Sequence, residues 1–431
     1  MKVLKSHQIS AFGGLEFVLE FLTKRNIHQT INEVLPSLSK QSKYGWNDIF
    51  YSLLSVYLCG GSCIEDLQEH LKAHLKRSPF FNITSPDTLL RRLGQLTEEN
   101  KFCRTKRGQV DHCYNTNSKL ETLNLKLLKK LGVFNTTGWT MDYDNTILFT
   151  EKMDSKMTYK RMHGYQPGVA TVNEELVLYI ENRNGNSDAK AFQADTLLRM
   201  FKQLQAQGIP MPSYFRADAA SYQYDVVKLL EEHVTHLFIG TRNSYVEKYY
   251  SQVTQWKEYK VNNQVQYEVG EIYITPFQQH ALEQKVHPKP YRLVVKRTKR
   301  VDGQVNMLTN DAYEYRSILT NNTTMTALEV AQFYNRRGNM ERQFDIMKND
   351  FGWNNLPFSR LEKNTVFLYF TAICRSLYKF IITEFSKRVQ GLKPTDRLKK
   401  FIFRFIILPS KWVHHARNQH LRIYGDVGFK T

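Results

Sequence analysis

The sequence predicts an α/β protein: a mixed core of strands and helices, interrupted by a β-rich insertion and preceded by a mostly helical N-terminal domain. Three observations lead there. Residues 1 to about 133 repeat their apolar positions at helical spacing. Residues 138–150 alternate with period 2, and 213–240 read as a β-α-β unit. Residues 241–325 then turn to alternating strands, followed by a proline-free helix over 331–350. This divides the chain into a helical unit (1–133), a core in two pieces (134–242 and 326–390), the insertion (243–325) and a basic C-terminal segment (391–431) packed on the core.

A length of 431 residues favours two or three structural units, and 42% hydrophobic residues suffice for buried cores. A net charge of +19 favours a polyanionic partner, nucleic acid ahead of an anionic membrane. The five cysteines (Cys59, Cys63, Cys103, Cys113 and Cys374) form no CxxC pair, and no secretory-type segment opens the sequence. Buried thiols in a reducing cytosol are the expectation, rather than a zinc site built from Cys103, His112 and Cys113. The apolar run 365–385 is broken by Arg375 and Lys379 and reads as a core helix, not a membrane span.

In the N-terminal third, amphipathic helices are expected over 15–22, 46–58 (ended by Gly60 and Gly61) and 64–75. Ser85-Pro86-Asp87 supplies an N-cap, a proline at the first helical position and an early acid. The helix they start carries Arg91 and Arg92. This pair of helices is either a loose helix-turn-helix or part of a bundle with an arginine-bearing face. A basic loop (101–107) and a leucine-rich helix closed by Gly132 complete the region.

Residues 138–150 place Asp142 and Asp144 on one face of a strand. A buried carboxylate needs a partner, so these acids either meet a metal or lie on an exposed edge. Two short strands around Asn173, a turn at residues 183–186 and a helix over 188–205 follow. Residues 213–218 then form a strand whose carboxyl end carries Asp218, the end at which open α/β sheets bind ligands. In the insertion, strands are expected over 265–274, 291–297 and 312–319, with a turn at Asp302-Gly303. Its cations (Lys285, Lys289, Arg292, Lys296, Arg297, Lys299 and Arg300) either contact phosphates or protect a sheet edge. Tyr249, Tyr250, Trp256 and Tyr259 add aromatic surface.

At about 100° per residue, Tyr334, Arg337, Glu341 and Lys348 fall within about 60° of arc on one face of the 331–350 helix. Phe333, Met340, Phe344, Met347 and Phe351 form an apolar stripe beside them. Tyr334-x2-Arg337-x3-Glu341-x6-Lys348 resembles the signature around the last acid in one group of bacterial insertion-sequence DDE transposases, and the local text FYNRRGNMERQFDIMKND is most similar to the insertion-sequence thirteen-eighty family. In that family the first catalytic aspartate ends a strand and is followed two residues later by threonine, which implies Asp144 with Thr146. The second implies Asp218, and the final acid Glu341. Asp142 is then a supporting acid behind Asp144. The order of strand acid, β-α-β acid, β insertion and helix glutamate implies an RNase H-like core with a preceding DNA-binding domain.

Three carboxylates with no histidine or cysteine partner favour Mg²⁺, with Mn²⁺ as a substitute, in two ions. Tyr334, Arg337 and Lys348 would contact DNA phosphate. The resemblance implies a transposase that cleaves double-stranded DNA at an element's terminal repeats and joins the strands to target DNA. It implies a homodimer at synapsis, no membrane partner, and a bacterial, cytoplasmic, nucleoid-associated setting. The rival readings are a non-catalytic DNA-binding relative and a metal-dependent nuclease without strand transfer.

Overall fold

The computed structural model describes residues 7–104, 111–136, 138–301, 303–305, 311–415 and 418–425. Six helices dominate the N-terminal region: α1 (Gly13–Lys24), α2 (Ile27–Val34), α3 (Trp46–Leu58), the short α4 (Lys72–Leu75), α5 (Pro86–Gly94) and α6 (Ser118–Lys130). Ser85 caps α5, its side chain accepting from the Thr88 amide as the sequence predicts. The helix expected over 64–75 is broken, because Leu67–Leu71 winds as a π-turn before α4. Segment 76–85 then separates α4 from α5, so no tight helix-turn-helix forms. The expected basic loop is instead β1 (Lys101–Arg104), paired with β2 (Asp111–Asn115). Residues 105–107 of that loop lie outside the described residues, as do Asp302 and Arg417.

The core strands are β3 (Thr140–Asn145), the short β4 (Leu148–Phe149), β5 (Lys156–Met157) and β6 (His163–Tyr165), then β7 (Gly168–Val172), β8 (Leu176–Arg183), β9 (Tyr214–Ala217) and β10 (His236–Gly240). Helices α7 (Gln193–Ala206) and α8 (Tyr224–His233) connect β8 to β9 and β9 to β10. The insertion holds α9 (Asn243–Val246), β11 (Lys257–Val261), β12 (Gln264–Ile274), α10 (Gln278–Glu283), β13 (Tyr291–Lys299) and β14 (Tyr313–Thr320). It is not a separate sheet. β14 pairs with β10, giving one eleven-stranded sheet in the order β1-β2-β8-β7-β3-β9-β10-β14-β13-β12-β11. Within it β3, β9 and β10 are parallel, and their neighbours β7 and β14 run antiparallel.

The chain continues through α11 (Ala327–Asn335), a 3-10 turn (Arg336–Gly338), α12 (Asn339–Asp350) and α13 (Leu361–Phe385). It ends with α14 (Leu398–Phe401), a π-turn (Ile402–Ile406) and a hairpin of β15 (Ser410–His415) and β16 (Asn418–Ile423). Alternation along the strands sends side chains to two cores: Val169 to one face, Ala170 to the other. Helices α7 and α8 cover the second face. The first is covered by a cluster shared among the N-terminal helices, α12, α13 and the C-terminal segment. The boundary expected near residue 133 therefore falls inside a common core.

Helix α13 is the only one among the described residues long and apolar enough to cross a bilayer, and 89% of its apolar window is buried in the protein. The Tyr369 hydroxyl pins it to β8, donating to the Ile180 carbonyl and accepting from the Ile180 amide, each at 2.9 Å. The C-terminal segment packs against α1 and the residues before it. Gly14 permits this, since a Cβ there would sit 1.8 Å from the Phe405 carbonyl oxygen.

A charged pair is sealed between the central strands. Asp142 on β3 lies in register with Arg216 on β9. The guanidinium donates to both carboxylate oxygens at 2.7 and 2.8 Å, and neither side chain has solvent exposure. Removing one partner strands the other's charge in the interior. Arg216→Met is expected to cost about 3–5 kcal/mol of unfolding free energy, read from urea midpoints. Asp142→Leu combined with Arg216→Met should cost less than the sum of the two single changes; simple additivity would contradict this account.

Candidate active site

Parallel pairing of β3 with β9 sets the site. The register matches Asp142 to Arg216 and Tyr143 to Ala217, so the next positions, Asp144 and Asp218, emerge side by side at the strands' carboxyl ends. Asp218 turns the chain into the following 3-10 turn, its carboxylate accepting from the Ala220 amide at 2.9 Å. Asp144 accepts from the Asn145 amide at 2.8 Å and from Arg337 Nη1 at 2.9 Å, with a fifth of its side-chain surface open to solvent. Burial first, and the Asp218 charge second, push the Asp144 carboxyl up to about 6, against the help of Arg337 and the Asn145 amide.

Arg337 belongs to the 3-10 turn between α11 and α12, not to the uninterrupted helix the periodicity predicts. Each residue of such a turn advances about 120° rather than about 100°, so three of them rotate α12 by roughly 60° extra. The expected single stripe is therefore divided. Arg337 faces Asp144, and no Arg337–Glu341 pair forms. Glu341 is exposed in the first turn of α12, with no ion pair among the described residues. Lys348 lies half-buried two turns further on, its ammonium held below the usual lysine range by burial and by the nearby Lys160. The apolar stripe divides as well: Phe333 packs against Tyr214 and Phe238, while Met340, Phe344, Met347 and Phe351 enter the helical core.

Tyr334 donates its hydroxyl to the Ala217 carbonyl at 3.1 Å, which fastens α11 to the strand carrying Asp218. Burial pushes this phenol up to about 12. Its seat is Gly240 at the end of β10, where a Cβ would lie 2.3 Å from the hydroxyl oxygen. The Tyr334 proton is thus engaged with backbone.

Two site residues escaped the sequence reading. Glu174 in the β7–β8 turn has φ of 67°, a region unfavourable for a residue with a side chain. Its carboxylate accepts from Arg216 and Arg336 at 2.9 Å and from Asn339 at 2.8 Å, so it binds the sealed pair to both ends of the 3-10 turn. The second is Arg216 itself. Asp142 thus supports the site through Arg216 and Glu174, not by touching Asp144. The signal for Arg216 was present in the sequence: Asp142-x-Asp144 on one strand and Arg216-x-Asp218 on another have the same spacing, as two strands paired in register require.

Three of the insertion's cations have acidic partners. Arg297 pairs with Glu268 at 2.8 Å and lies over Trp256, Arg292 pairs with Glu271, and Lys289 pairs with Glu231 at 2.6 Å. Tyr250 is buried and Tyr259 stacks on Tyr267. The two arginine pairs bridge β12 and β13.

Asp144 and Asp218 suit a hard divalent cation. They offer only carboxylate oxygens, and the mutual repulsion that raises Asp144 would be relieved by a cation between them. Mg²⁺ is commonly held by one or two carboxylates together with waters and substrate phosphates. Glu341 stands apart from the pair; among the described residues no three acids, histidines or cysteines gather closely enough to hold a metal.

The raised Asp144 gives a signed pH dependence. Between about pH 4 and 6 the folded protein keeps a proton that the unfolded chain has released, so stability falls as pH rises through that window. Asp144→Asn removes this contribution. Its urea midpoint in chelator should decline less than that of the wild type from about pH 4 to 7. Glu16 and Glu121, both pushed up to about 7 by burial, titrate in both proteins and cancel. Parallel profiles would refute the assignment.

No curated protein matches this sequence. Among solved structures, the chain is similar to the piggyBac transposase in a synaptic complex with hairpin DNA, at TM-score 0.44 and 11% identity over 92% of this chain and 80% of that one. It also aligns with the Mos1 transposase in a strand transfer complex, at TM-score 0.17 and 13% identity over 54% of this chain and 78% of that one. The family model described as transposase DDE domain, group 1, matches residues 4–426, nearly the whole chain, and the protein belongs to that family.

Proposed function

We propose that this protein is an insertion-sequence transposase of the thirteen-eighty type, which cleaves DNA at terminal repeats and joins the ends to target DNA. Its catalytic core is RNase H-like, with residues 1–133 binding the repeats and two protomers acting at synapsis in a bacterial cytoplasm. The observation that carries the reading is the pairing of Asp144 with Asp218 at adjacent strand ends beneath Arg337.

Asp144 and Asp218 would hold Mg²⁺ or Mn²⁺, and Glu341, exposed in the first turn of α12, is the third acid the family resemblance implies. Bound in a pair, such ions supply an activated water or 3′-hydroxyl and stabilise the leaving oxygen of a phosphodiester. Without DNA, Arg337 neutralises Asp144. With that carboxylate otherwise compensated, the guanidinium is released to a phosphate near the cleaved end, a geometry its planar fork suits. Lys348 takes a second phosphate. Tyr334 and Glu174 keep the 3-10 turn in place so that both cations face the substrate. Three acids support catalysis over the reading as a binding-only relative.

The test uses a duplex bearing the inverted repeats that flank the reading frame. Asp144→Asn, Asp218→Asn and Glu341→Gln should each abolish Mg²⁺-dependent cleavage while retaining binding; substantial cleavage by any one overturns the triad. Joining of a 3′-hydroxyl donor to a plasmid distinguishes a transposase from a nuclease. Arg337→Ala and Lys348→Ala should each weaken binding and reduce the slope of log affinity against log salt by about one. Independently of activity, Mg²⁺ should raise the melting temperature of the wild type more than that of Asp144→Asn. Equal shifts would place the ion elsewhere.

A further inference from the structure

Directly after Asp144 the chain builds a second, small sheet of three strands, in the order β4-β6-β5. Its outer end is a hairpin, 155–163, whose tip reads Thr158-Tyr159-Lys160-Arg161-Met162. The tip is closed by its own bonds. The Thr158 amide and hydroxyl both donate to the Met162 carbonyl, at 2.9 and 2.8 Å, and Arg161 takes a left-handed turn with φ of 60°. The base is fixed as well. Asp154 accepts from the Leu361 amide at 2.8 Å, the Met153 amide donates to the Ser359 carbonyl at 3.1 Å, and a Cβ on Gly185 would lie 2.3 Å from the Lys156 carbonyl oxygen.

This anchored hairpin presents a surface unusual for a free protein. Tyr159 is 74% exposed, Met153 67%, Met162 52% and Met157 51%. Lys156, Lys160 and Arg161 are exposed between them, with no ion pair among the described residues. Exposed apolar side chains interleaved with unpaired cations fit a partner that offers both anionic groups and flat apolar faces. Duplex DNA has that chemistry: phosphates for the cations, base edges and faces for tyrosine and methionine. The small sheet also leaves the carboxyl end of β3 itself, since β3 ends at Asn145, one residue past Asp144, and β4 begins at Leu148.

Building on the transposase reading, we infer that hairpin 155–163 is a DNA wedge: Tyr159 and Met162 press between bases beside the cleaved phosphate, while Lys156, Lys160 and Arg161 grip the flanking backbone. The wedge opens the stack next to the strand ends that carry Asp144 and Asp218.

The test uses duplexes from the DNA flanking the reading frame, with 2-aminopurine at successive positions near the cleavage point, in chelator. Wild type should raise the fluorescence of a probe beside that point. The double variant Tyr159→Ala with Met162→Ala should lose the rise and weaken binding about five- to a hundredfold, the range measured for lost base stacking. Lys160→Gln with Arg161→Gln should reduce the salt slope by about two. Both pairs are exposed, so unchanged urea midpoints will confirm intact folding. Fluorescence and affinity like those of the wild type in both variants would overturn the wedge. If wild type still cleaves such duplexes with Mg²⁺ while Asp144→Asn does not, the transposase reading survives that result. If wild type neither binds nor cleaves them, both inferences fall together.

Discussion

The parallel register between β3 and β9 is the constraint from which the site arises. It aligns a strand carrying Asp142 and Asp144 with one carrying Arg216 and Asp218. At one level it joins opposite charges, and two residues further on it joins like ones. The first pair is sealed and bidentate, a strongly specified contact because either member alone would be an uncompensated buried charge. That contact locks the register, and the register forces Asp144 against Asp218. The repulsion so created is partly offset by Arg337 and is the electrostatic condition a divalent cation would relieve.

The helix junction is held by a second layer of constraints. Tyr334 reaches β9 above Gly240, Arg216 donates to the Phe333 carbonyl at 2.7 Å, and Glu174 gathers Arg216, Arg336 and Asn339. Below the junction, α12 rests on α13, Trp353 donates to the Thr371 hydroxyl at 2.9 Å, and Arg397 clamps Asp350 through two bonds. Because the N-terminal helices and the C-terminal segment share this core, the parts of the chain expected to meet DNA and the part expected to cut it are mechanically continuous.

The chain's excess positive charge is unevenly available. Arg183 and Arg199 compensate the buried Glu181, and the arginines of β13 compensate acids on β12. Cations without such partners stand on the hairpin beyond Asp144. A basic composition thus states a preference for polyanions, while the location of the usable charge depends on which cations the fold has already neutralised.

Local sequence was sufficient for the elements whose signals are short-range. The capped helix at Ser85, the helix over 46–58, the strand bearing both acids, the β-α-β unit whose first strand ends at Asp218 and the buried helix after residue 360 all rest on periodicity, caps and turn residues close in the chain. The Tyr-Arg-Glu-Lys spacing was read on one uninterrupted helix and gave no sign of the break at residues 336–338, since a 3-10 turn costs little locally and is fixed here by Glu174, a residue far away in sequence. Burial of the aromatic and basic strand residues, the joining of the insertion to the main sheet and the pairing of Asp142 with Arg216 were likewise decided by strand partners that no local pattern names. Sequence alone determined which residues can be helical, extended or charged; the tertiary structure decided which charges meet, because Coulomb attraction and burial act across space while the code for turns and helices acts along the chain.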